Sequence, residues 1–165
     1  MVRRVSIMIP VLALLLLVVA TPAHAVKPET FPIGDFVLTL DAGAVCPFPV
    51  QIETLQNKEV VRIYFDQEGN FVRGLITGRL FVRYTNLDTR ASVTLPQSGP
   101  GQFYPDGRLV ALGVSFLGLI KGIDEGAPAL LQTRGRVTLR RTEFGGLADI
   151  VITSHRVDDI CALIA

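Results

Sequence analysis

The segment "ITSHRVDD" places Ser154, His155, Asp158 and Asp159 within six residues. These types suit nucleophilic catalysis, in which a histidine takes a serine proton and a carboxylate orients the ring. The spacing does not suit it. Neighbours on an extended strand point to opposite faces, so Ser154 cannot be the serine that His155 activates. Ser92, Ser98 and Ser115 lack the G-x-S-x-G elbow that exposes a nucleophile. His155 therefore reads as a surface or hydrogen-bonded histidine, a candidate polar site with no assigned reaction.

Asp41, Glu53, Asp66, Asp106, Asp124 and Glu125 offer carboxylates for a glycosidase-like pair. Most sit in or beside turns, where acidic side chains solvate the chain and bond its backbone, and nothing in the spacing selects two of them. No D-x-D-x-D-G calcium loop is present. No cofactor or metal is expected.

The arginines carry a second possibility. Arg79 and Arg83 share one face of a strand, and Arg134, Arg136 and Arg140 share a face of another. On neighbouring strands they would make a cationic stripe for an anionic ligand or polymer. With the charges balanced, the competing reading is a solvated face paired with Asp and Glu.

Two cysteines, Cys46 and Cys161, stand 115 residues apart. Neither belongs to a C-x-x-C motif, so a redox or metal site is disfavoured. An even count in an exported chain reads as a disulfide. Closing so long a loop is worth roughly 4–5 kcal/mol at most in the chain-entropy account. The bond requires the two Cα atoms to lie within about 7 Å.

Export is read from "MVRRVSIMIPVLALLLLVVATPAHA". Arg3 and Arg4 form a basic start, Val5 to Ala20 an apolar run, and Ala23-His24-Ala25 a small-x-small cleavage site. The run of 16 residues is shorter than the ~20 needed to span a bilayer, so the expectation is a secreted chain with no transmembrane segment after cleavage. Residues 1–25 are then a secretory signal, 26–34 a flexible lead-in and 35–165 a single β domain. Removing two of the 16 basic residues leaves 14 against 15 acidic ones, a net charge of −1. So near-neutral a chain has no electrostatic case for nucleic acid.

The elements that must position these residues are strands. "DFVLTLD", "EVVRIYFD", "FVRGLITG" and "RLFVRYTN" alternate or are rich in β-branched and aromatic residues. "QEGN", "NLDT", "QSGPG", "YPDG" and "KGIDEGAP" break them with turn chemistry every 8–12 residues or so. Gly74, Gly78, Gly113 and Gly118 lie inside β runs, where they permit sharp curvature. Together these predict an all-β domain, a single antiparallel β-barrel of about eight strands, with a β-sandwich as the alternative. Asp158 or Asp159 is placed to cap a short C-terminal helix, with a last strand as the rival.

"VCPFPV", "RLFVRYTNLDTRASVTLPQSGPG", "TRGRVTL" and "DICALIA" resemble a class of small secreted proteins of high-GC Gram-positive bacteria, over nearly all of residues 26–165. The resemblance implies no activity. The expected architecture is similar to that of dirigent and allene oxide cyclase barrels, a likeness of shape that does not transfer function. The apolar runs "LVALGVSFLGLI" and "PALLQ" exceed what a one-faced sheet requires, and in a barrel could line a cavity. The leading expectation is a non-catalytic binder of a small apolar ligand or a cell-surface component. An isomerase or hydrolase using the interior is the alternative, and a structural envelope-associated protein the third.

Overall fold

The computed structural model describes residues 26–143 and 145–165; the expected secretory signal lies outside the described residues. The strands are β1 (Glu29–Pro32), β2 (Val37–Leu40), β3 (Val50–Asn57), β4 (Val60–Phe65), β5 (Phe71–Thr77) and β6 (Leu80–Asn86). They continue as β7 (Ser92–Pro96), β8 (Gly101–Phe103), β9 (Arg108–Leu119), β10 (Ala129–Arg141) and β11 (Leu147–Asp159). A single turn of helix, α1 (Ile160–Leu163), ends the fold. The segment read as a lead-in thus holds β1, which pairs with β4 from Glu29↔Ile63 to Pro32↔Val60.

Two antiparallel sheets result, one of seven strands in the order β1-β4-β5-β8-β9-β10-β11 and one of four, β2-β3-β6-β7. They share a crease. β3 runs into β4 through Lys58 and Glu59, while β5 runs into β6 through Gly78 and Arg79. At the crease the Lys58 N–H donates to the Arg79 carbonyl at 2.8 Å, between the pairs Asn57↔Leu80 and Val60↔Thr77. A long hairpin is therefore folded over rather than interrupted. Gly78 has φ +143°, and a Cβ there would lie 2.3 Å from the Lys58 carbonyl oxygen. Only glycine fits that corner.

A second bend crosses the three long strands. Gly113 and Gly135 are ladder partners on β9 and β10, and both have positive φ. On β11 the register slips at the same level, since Arg134 faces Arg156 while Gly135 faces Ser154. His155 is the extra residue of that bulge, which bends its strand.

No ladder among the described residues joins β2 to β11, so the expected closed barrel of about eight strands is corrected to two open sheets. Closure would need the first and last strands to share hydrogen bonds. β2 spans only four residues, and the chain on either side of Cys46 is turn rather than strand. What joins these ends is covalent: Cys46 and Cys161 are disulfide-bonded, with Cα atoms 5.5 Å apart. The all-β class, the antiparallel pairing and the short final helix stand as expected.

Asp159 caps α1, its carboxylate accepting from the N–H groups of Cys161 and Ala162. The helix thereby drives Ile160 and Ile164 into a core with Val50, Ile52, Val82, Tyr84 and Leu130. A second cluster forms around Leu117, Val137 and Leu139, packed by Leu109, Ala111 and Leu147.

Candidate functional site

Each candidate from the sequence has a definite place. Ser154 is committed to the backbone: its hydroxyl accepts from the Arg134 N–H at 2.9 Å and also bonds the Arg134 carbonyl. In this way it repairs the ladder that the bulge at His155 breaks. His155 itself is exposed on the edge strand, and Asp158 holds Arg156 at 2.8 Å. The constellation has no free nucleophile.

Four of the six carboxylates, Asp66, Asp106, Asp124 and Glu125, bond backbone N–H groups in or beside turns. Asp124 accepts from the Ile120 N–H at 2.6 Å and the Leu147 N–H at 2.7 Å, and Glu125 accepts from the Asp149 N–H at 2.9 Å. Asp66 accepts from the Asn70 side chain and backbone, which hold its pKa below the ordinary carboxylate value. Glu53 pairs with Arg83 at 2.6 Å. No group of three or more His, Cys, Asp or Glu side chains among the described residues could hold a metal ion.

The five arginines do not form one stripe. Arg79 and Arg83 belong to the four-stranded sheet and its crease, whereas Arg134, Arg136 and Arg140 lie on β10 in the other sheet. Arg134 turns inward, its guanidinium donating to the buried Gln132 at 3.4 Å. Gln132 donates to the Pro96 carbonyl at 2.8 Å, and the next residue, Gln97, donates to the Tyr84 hydroxyl at 3.1 Å. Burial raises the Tyr84 pKa, a shift the Gln97 hydrogen bond partly offsets. This polar seam binds β10 to the four-stranded sheet. Arg140 is paired with Asp149 on β11.

The concave side offers different chemistry. Leu38, Leu40 and Ile52 from the four-stranded sheet face Leu109, Leu130 and Leu139 across a hollow of 290 Å³. A second hollow of 200 Å³ lies against Ile76, Phe103 and Ala111 and shares Leu109 and Leu139 with the first. A third, of 360 Å³, shares Phe103 and Leu109 and has Arg141 on its wall. The three adjoin along one apolar trough with a single cation in its lining. A broader dish of 520 Å³ lies outside it, between Glu125, Gly126 and the start of β11; its mixed lining and lack of convergent polar groups make it a poorer site.

Alternation explains the trough. Phe103 and Leu109 are ladder partners, as are Leu109 and Leu139, so their side chains share the inner face. The surplus of apolar residues is visible in the sequence, but the trough is not, because its walls come from β2, β3, β5, β8, β9, β10 and β11, which only the folded sheets bring together. Phe103, in a strand of three residues, carried no signal of its own.

No protein family, curated protein or solved structure matches the chain. The class the fold and site define is an all-β, disulfide-bonded protein with an apolar trough inside a folded antiparallel sheet. No helix among the described residues is long and apolar enough to cross a membrane.

Proposed function

We propose that the protein is a secreted, non-catalytic binder that holds a small apolar molecule in this trough. The folded sheet gives an apolar wall on two sides, against which a ligand can remove apolar surface from water. The observation that carries the reading is the trough's lining of leucine, isoleucine and phenylalanine side chains around Leu109, which borders all three hollows. Hollows of this size and character suit ligands that bind by removing apolar surface from water. The covalent closure at Cys46 and Cys161 fits an oxidising compartment, which supports export. Catalysis has less support, because His155 does not line the trough and Asp124, the turn carboxylate beside it, is taken up by the backbone N–H groups of Ile120 and Leu147.

The test is titration with a fluorescent fatty-acyl probe, together with native mass spectrometry of protein purified from culture medium. Wild type is expected to bind the probe and to carry a retained apolar ligand. Leu109→Arg, which puts a charge where the hollows meet, is expected to abolish both. Undiminished probe binding by folded Leu109→Arg protein overturns the reading.

A further inference from the structure

The reverse side of the seven-stranded sheet carries a row of alternating tyrosine and arginine. Tyr64 on β4 faces Arg73 on β5, with the guanidinium carbon 4.8 Å from the ring centroid. Arg73 adjoins Gly74, whose partner Phe103 precedes Tyr104. Arg108 lies over the Tyr104 ring at 4.3 Å, and Arg108 is the direct partner of Arg140 on β10. The row therefore crosses β4, β5, the β8–β9 hairpin and β10, about 19 Å at four strand spacings. Phe103, Leu109 and Leu139 point into the trough, so alternation puts Arg108 and Arg140 on the outside, while Tyr104, at the end of the hairpin, also borders the third hollow. Arg73, Arg108 and Arg140 are exposed, and the two tyrosines are half-buried beneath them.

Two flanking guanidiniums widen the charge. Arg62 is tethered to the Thr77 hydroxyl and Arg136 to the Thr138 hydroxyl, each at 3.4 Å. Asp106 and Asp149 offset Arg108 and Arg140. Arg62, Arg73 and Arg136 have no carboxylate partner among the described residues.

We propose that this outer face binds an acidic polysaccharide, a carboxylate-bearing chain lying across the strands, whatever the trough holds. Guanidiniums bind carboxylates through paired, charge-assisted hydrogen bonds, and stacking on a tyrosine ring holds Arg73 and Arg108 in place beforehand. The row's ~4.8 Å step between strands is close to the rise of one pyranose in an extended chain, so successive sugars meet successive strands. An anionic bilayer fits less well, because binding in its interface needs apolar side chains that enter the acyl boundary, and the row has none. Single-stranded nucleic acid fits less well, because Arg73 and Arg108 lie over the two tyrosine rings and occupy the faces on which bases would stack.

The test compares wild-type protein on immobilised polygalacturonate, the same polymer fully methyl-esterified, phosphatidylglycerol vesicles and single-stranded DNA. Binding is expected to polygalacturonate alone and to fall with rising salt. Arg73→Ala and Arg108→Ala, made separately, should each weaken it by about tenfold, and Arg73→Lys by less than Arg73→Ala because lysine keeps the charge and loses only the planar fork. All variants should bind the fatty-acyl probe as wild type does, which separates this face from the trough. Absence of binding to polygalacturonate, tighter binding to vesicles or DNA, or unchanged binding by both folded alanine variants overturns the proposal.

Discussion

Gly135 lies opposite Ser154 so closely that a Cβ on Gly135 would stand 2.7 Å from the Ser154 Cα. The same Cβ would meet the Thr153 carbonyl oxygen at 2.7 Å, at a backbone φ of +148°. Gly135→Ala is expected to cost about 2–4 kcal/mol through steric overlap and backbone strain. Urea denaturation checks it; a loss below about 0.5 kcal/mol would mean the bend is not held this tightly.

Ser154 makes the complementary contribution. Its hydroxyl bonds both the N–H and the carbonyl of Arg134 where the bulge breaks the ladder. Ser154→Ala should destabilise by about 1–2 kcal/mol, the cost of leaving such groups without partners. Amide exchange at Arg134 should rise by more than exchange elsewhere in β10.

The covalent closure carries a larger share. The double variant Cys46→Ser, Cys161→Ser removes the bond without leaving a free thiol, and should lose up to about 4–5 kcal/mol. Affinity for the fatty-acyl probe should fall in parallel, since Cys46 and Cys161 pack in the same core as Ile52 and Leu130, which border the trough. An unchanged denaturation midpoint would show that the ends meet without it.

Glu59 sets a pH dependence. It is buried at the crease, and desolvation raises its pKa above the ordinary 4.5. The native state therefore binds the proton more tightly than the unfolded state. The stability this gives is complete below 4.5 and is lost as pH rises through the raised value. Glu59→Gln should accordingly raise Tm at about pH 7, with the difference vanishing near pH 3. Equal Tm shifts at both pH values would locate the effect elsewhere.

The ion pair between Arg83 and Glu53 is partly exposed, at 43% and 28% of the two side chains. Its coupling energy in a double-mutant cycle should stay below about 1 kcal/mol. A larger coupling would mean that the pair organises the four-stranded sheet rather than decorating it.

Legibility followed the range of the interactions. The cap at Asp159 and the tight turn at "YPDG" are local chemistry, and both were visible in the residues; the Tyr104 carbonyl accepts from the Gly107 N–H at 3.1 Å. The disulfide was legible because only one pairing exists within the chain. Closure was not. Gly78 advertised a corner, but whether that corner folds one ribbon over or completes a ring depends on where β2 and β11 end. The arginines were separable only by sheet membership, and the partners of Arg73 and Arg108 are aromatic rings from other strands or across a hairpin. His155 invited a catalytic reading because the strand register that makes it a bulge involves Arg134 and Gly135, twenty residues away.

β11 borders the seven-stranded sheet with no strand beyond it among the described residues, and such a rim can recruit further copies into fibrils. Two register slips limit that hazard, one at His155 and one between Ala148 and Val151, where Asp149 takes a φ of +51°. The regular stretch left between them, Val151 to Ser154, is shorter than the six or seven residues that a steric zipper requires. The kinks that curve the strand therefore also guard the molecule against amyloid-like growth.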